Sequence, residues 1–137
     1  MRLATALSIA FLVSSLAGAR PAVAVPCAPG SSSIDGEEPC TPCASGTIAP
    51  GSGSTACFEC PVGTFAPGEG STSCPACDPG TYADVPGAAA CTPCAAGTVV
   101  DFAGAIACQA CGPGYYADQE GMTQCLLCSA GTVASSL

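Results

Sequence analysis

The side chains best placed to do chemistry are cysteines, and they come in pairs separated by two residues: Cys40/Cys43, Cys57/Cys60, Cys74/Cys77, Cys91/Cys94, Cys108/Cys111 and Cys125/Cys128. This spacing serves three kinds of chemistry. As thiols, such a pair can exchange with disulfides, which requires a thiolate stabilised by a helix N-terminus or a cation. As thiolates, two pairs can hold zinc in a tetrahedron. As cystines, they staple a chain that has no core of its own. Redox exchange is disfavoured, because no helical periodicity surrounds any pair and no cation lies near one. Zinc is disfavoured by the uninterrupted array; 13 residues between successive pairs also falls just short of a common zinc-ribbon range. Hydrolysis lacks its usual bases, because the sequence has no His and no Lys.

The elements that carry these cysteines are one unit repeated without a gap every 17 residues, starting at Cys40, Cys57, Cys74, Cys91, Cys108 and Cys125. Position 7 is always glycine: Gly46, Gly63, Gly80, Gly97, Gly114 and Gly131. Position 8 is Thr except at Tyr115, and position 9 is Ile48, Phe65, Tyr82, Val99, Tyr116 or Val133. Position 10 is Ala or Val100, and position 14 is glycine in every complete unit. Glycine after the cysteine pair permits a turn with positive φ. Thr followed by a large apolar residue is a short extended segment, and the Pro, Asp and Gly of positions 11–14 reverse the chain. The side chain at position 9 is expected to lie over its local disulfide as a miniature core. Short repeats of this kind form linear arrays in which each unit touches mainly its neighbours. The fold class is therefore small and disulfide-rich: an elongated tandem array of β-hairpin loops with almost no helix.

Composition agrees. The 137 residues include 13 Cys, 17 Gly and 13 Pro but only 4 Phe, 3 Tyr and no Trp. A chain this poor in large apolar residues cannot cover a sizeable core and needs staples. Its net charge is −8, and both basic residues, Arg2 and Arg20, lie in the N-terminal segment. Beyond that segment stand ten carboxylates and no positive side chain. Such a surface repels nucleic acid and anionic lipid, so neither is a partner.

Residues 1–24 have the layout of a secretory signal: Met1-Arg2, an apolar run from Leu3 to Ala17, then small-x-small sites ending at Ala19 and Ala24. Cleavage after Ala24 is expected, with Ala19 as the second choice and an uncleaved signal anchor as the alternative. Export places the cysteines in an oxidising compartment. Residues 25–39 form a first, slightly shorter loop, 40–124 five full repeats, and 125–137 an incomplete sixth.

Thirteen cysteines leave one over. Cys27-Ala-Pro-Gly30 matches the second cysteine of a unit and its glycine, so the simplest scheme closes each long gap. That scheme joins Cys27–Cys40, Cys43–Cys57, Cys60–Cys74, Cys77–Cys91, Cys94–Cys108 and Cys111–Cys125. Each closed loop contributes about 3 kcal/mol by the chain-entropy account, more than one buried aromatic supplies at about 1.5–3 kcal/mol. Cys128 then opens a loop that nothing in the sequence closes; it reads as a truncated loop of a longer surface protein, or as a cross-chain link. A rival scheme interlocks the units, Cys40–Cys57 with Cys43–Cys60 and onward, leaving Cys27 odd. The residues alone leave both open.

The Cys-x-x-Cys-x-x-Gly-Thr-[Tyr/Phe] unit resembles the ephrin-receptor-like cysteine-rich repeat, and its separate loops are similar to the first submodule of tumour-necrosis-factor-receptor and growth-factor-receptor-like modules. The resemblance runs over residues 27–137 and implies an extracellular, non-enzymatic stalk or binding module. The denser submodules that accompany the simple loop in tumour-necrosis-factor receptors are absent here, so cytokine binding does not carry over.

The function expected is that of a secreted or cell-surface spacer, or of a protein-binding ectodomain module, with no cofactor and an extracellular protein or matrix as partner. The alternative is a secreted metal-binding protein holding zinc or calcium. Asp84, Asp101 and Asp118 recur at position 11, where Asp caps turn amides; one repeat apart, they stand too far from one another to share a calcium ion. Glu37-Glu38 reads as solvated surface. Ser31–Ser33 and Ser52–Thr55 are candidate O-glycan sites on composition alone. Phe58, Phe102 and Tyr115 fall outside position 9 and are the candidate contact residues.

Overall fold

A computed structural model describes residues 23–131. Residues 1–22, most of the expected signal, and Thr132–Leu137, Val133 of position 9 among them, lie outside these residues.

Six disulfides close six successive loops: Cys27–Cys40 (loop 1), Cys43–Cys57 (loop 2), Cys60–Cys74 (loop 3), Cys77–Cys91 (loop 4), Cys94–Cys108 (loop 5) and Cys111–Cys125 (loop 6). Their Cα atoms stand 5.6–5.7 Å apart, inside the range a cystine spans. Cys128 is free of any disulfide.

Each loop is pinned by a minimal antiparallel hairpin, and the described residues contain no helix. Thr47–Ile48 pairs with Phe58–Glu59, Thr81–Tyr82 with Thr92–Pro93, Thr98–Val99 with Gln109–Ala110, and Tyr115–Tyr116 with Leu126–Leu127. Ser31–Ser32 pairs likewise with Thr41–Pro42, and loop 3 keeps a single bridge, Thr64↔Ala76. The second strand is the dipeptide inside Cys-x-x-Cys, so the link between loops is also a rung of the hairpin.

The entry to each hairpin is a four-residue turn. In loop 2 the Thr47 N–H donates to Ala44 O at 3.0 Å, with Gly46 at φ 83°. Positive φ at the third residue, closed by a bond from fourth to first, is a type II turn, and glycine meets its demand. The Thr47 hydroxyl donates to the same carbonyl at 2.8 Å, and Thr64, Thr81 and Thr98 repeat the contact in loops 3, 4 and 5. This second donor explains threonine at position 8.

The core differs from expectation in its choice of residue. Position 10, not position 9, is buried: Ala49, Ala66, Ala83, Val100 and Ala117 are at most 5% exposed. The opening cysteines Cys27, Cys43, Cys60, Cys77 and Cys94 are buried with them. Ala49, Ala66, Ala83 and Val100 each use both backbone groups to reach the adjoining loops, which buries their side chains between them. At position 9, one side chain reaches into the next loop. Tyr82 of loop 4 packs against the buried cluster of Cys94, Val100 and Ala105 in loop 5. The loops stack, so a side chain leaving one hairpin meets the cystine of the next.

Candidate interaction surface

The stack is built from backbone, and its rule can be followed in loops 2 and 3. Gly46 N–H donates to Ala66 O at 2.9 Å, Ala49 N–H to Ser71 O at 3.2 Å, and Cys60 N–H to Gly46 O at 3.0 Å. In return Gly70 N–H donates to Cys43 O at 2.8 Å. The same four bonds recur one repeat later through Gly63, Ala66, Cys77 and Gly87, and again through Gly80, Ala83, Cys94 and Gly104. Buried backbone polar groups need partners, and here the neighbouring loop supplies them.

Contact also extends two loops along, farther than nearest neighbours. A side chain on Gly46 would overlap the carbonyl of Gly87, and one on Gly63, Gly80 or Gly30 would overlap that of Gly104, Gly121 or Gly70. Each of these glycines turns its Cα–H toward that carbonyl, a geometry worth a fraction of a backbone bond. Glycine at position 7 thus answers to two constraints, the turn and this approach.

The first loop ends the pattern by imitating a preceding unit. Gly36, at φ 79°, donates its N–H to Ser33 O at 3.2 Å and accepts Cys27 N–H at 2.8 Å. Pro26 bridges to Glu37, as the Cys-x-x-Cys dipeptide does to position 8 elsewhere. A side chain on Gly36 would meet Gly53 O, the contact that a position-7 glycine makes two loops along. Gly36-Glu37-Glu38 therefore stands in for positions 7–9 of a missing unit, a cap of the kind repeat arrays use at their ends. Asp35 holds this segment. Its carboxylate accepts Glu37 N–H at 3.1 Å and lies 2.9 Å from the Ser33 hydroxyl, which also lies 2.6 Å from Glu37 O. The Glu37 amide, and after it the Ser33 hydroxyl, hold the Asp35 carboxyl below its ordinary range. Glu37 and Glu38 are exposed, as their reading as solvated surface expects, and it is the Glu37 backbone that takes part in the cap.

All the paired cysteines except Cys128 are held in cystines and so offer no thiol to attack a substrate or bind zinc. Among the described residues no three His, Cys, Asp or Glu side chains converge as a metal centre would require. The structure does not bring Asp84, Asp101 and Asp118 into turn caps: among the described residues none of them accepts a hydrogen bond, and all three are exposed. Phe58, Phe102 and Tyr115 are 60%, 59% and 47% exposed, so all three stand free for contact. Phe102 lines a shallow groove of about 570 Å³ on loop 5 together with Asp101 and Ile106. Among the described residues no helix is long and apolar enough to cross a membrane.

A family model described as tyrosine-protein kinase ephrin type A/B receptor-like matches the sequence three times in tandem, over residues 30–73, 63–107 and 97–137. No curated protein matches the chain.

Proposed function

The chain belongs to the ephrin-receptor-like cysteine-rich repeat family, and from that membership we propose that it works outside the cell as a stacked spacer that presents protein-binding loops. The family is one of receptor ectodomain repeats, not a catalytic family. Six cystines in 109 described residues fit an oxidising compartment, and residues 1–24 supply the export signal. The observation that carries the spacer reading is the ladder of inter-loop backbone bonds, repeated from Cys27 to Cys128. Each loop is held to the next by groups independent of side-chain identity, so the outward positions are free to vary. This division of labour suits a scaffold for recognition.

The test is to express the whole chain in a secretory host, recover it from the medium, and measure its length by small-angle scattering with chelator and with reductant. The spacer reading expects an elongated particle that chelator leaves unchanged and reductant collapses. Collapse with chelator alone would favour the metal-binding alternative, and retention inside the cell would contradict the extracellular assignment.

A further inference from the structure

Loop 5 departs from the repeat where the stack does not ask for it. Position 12 is Gly51, Gly68, Val85 or Gln119 in loops 2, 3, 4 and 6, but Phe102 here; position 16 is Thr55, Thr72, Ala89 or Thr123 in those loops, but Ile106 here. Both side chains stand in solvent, 59% and 56% exposed, and both line the loop 5 groove. Glycine and threonine satisfy the same backbone elsewhere, so burial within the chain does not explain either residue. The bond from Ala83 N–H to Ala105 O, 3.1 Å, brings the turn carrying Asp84 and exposed Val85 alongside. Asp101 lines this apolar patch and Asp84 lies in the adjoining turn, and neither carboxylate has a hydrogen-bond partner among the described residues.

We propose that this patch docks a protein segment in which a large apolar side chain is flanked by Lys or Arg. The inference rests on the ectodomain reading above and names the partner's chemistry. Residues 23–131 hold ten carboxylates and no positive side chain, so the field over the groove has one sign and no internal cation competes for it. A second copy of the chain would bring the same sign and is repelled, whereas a basic segment is drawn in. Phe102 and Ile106 offer the apolar contact such a segment needs once it arrives, and the exposed ring accepts a guanidinium on its face.

The test uses the full chain, exported and checked for closed disulfides, with a short synthetic peptide carrying one tryptophan between arginines. Binding is followed by nuclear magnetic resonance shifts and by titration. The expected result is saturable binding with shifts centred on Phe102 and Ile106. The double substitution Phe102→Gln and Ile106→Thr, which copies loop 6, should weaken it roughly tenfold or more, while Asp101→Asn should weaken it and flatten its salt dependence. The peptide with glycine for tryptophan, if bound equally well, would reduce the patch to a diffuse acidic surface and overturn the proposal. Shifts centred elsewhere, or an unaffected double variant, would do the same. Failure of the chain to leave the cell or to close its cystines would overturn the ectodomain reading instead, and this inference with it.

Discussion

The carbonyl of Gly36 accepts the N–H of Cys27 at 2.8 Å, the place that the preceding loop's position-7 glycine fills in every later unit. One glycine within the first loop therefore does what an absent loop would do. Gly36→Ala places a Cβ at φ 79° and against Gly53 O. The expected cost is about 1–3 kcal/mol, appearing first as faster hydrogen exchange at Cys27, Glu38 and Gly53. Unchanged exchange at those amides would deny the cap its role.

Asp35 gives the cap a pH dependence whose sign follows from its lowered pKa. The carboxylate accepts Glu37 N–H more strongly when ionised, so this added contribution is fully present above the unfolded aspartate value of about 3.9 and is lost as pH falls through the lower folded value. Exchange at the Glu37 amide should accelerate across that acid window. Asp35→Asn should remove the pH dependence, and a step near neutrality would point to another group.

Gly80 and Gly97 share a backbone conformation, φ 88° and 86°, but among the described residues only Gly80 faces a carbonyl two loops along, that of Gly121. Gly97→Ala should carry the conformational cost alone, about 1–2 kcal/mol. Gly80→Ala should exceed it, because the loops must part to admit the methyl. Thermal unfolding of the two variants measures the contact by difference, and equal losses would dismiss it.

Thr98 doubles the turn bond to Ala95 O with its hydroxyl, at 2.8 Å. Thr98→Val keeps the shape and loses that bond. A loss of about 0.5–1.5 kcal/mol is expected, read by denaturant unfolding, while Thr98→Ser should lose less.

The sequence revealed the hairpin array because the period is strict and each unit carries its own turn glycine and extended pair. It revealed less of the stacking. Position 9 drew attention because Tyr82 and Phe65 are large, yet the buried residue is the alanine beside them, and its signal was small size in nearly every unit. Contacts two loops along were hidden because position 7 already had a sufficient reason to be glycine. The cap was hidden because Gly36 lies out of register, and imitation through backbone groups leaves no side-chain pattern. Phe102 could be singled out as standing outside the core position, but its groove needed the neighbouring turn of Asp84 and Val85, which only the bond from Ala83 to Ala105 brings near.

The most direct test of closed loops stacked in series is peptide mapping of the exported chain without reduction. The account predicts cross-linked fragments joining Cys43 to Cys57, Cys60 to Cys74 and each later pair in the same sense, with no fragment crossing two loops. A Cys40–Cys57 cross-link would contradict it, because the units would then be interlocked and the dipeptide between loops could not serve as the hairpin's second strand.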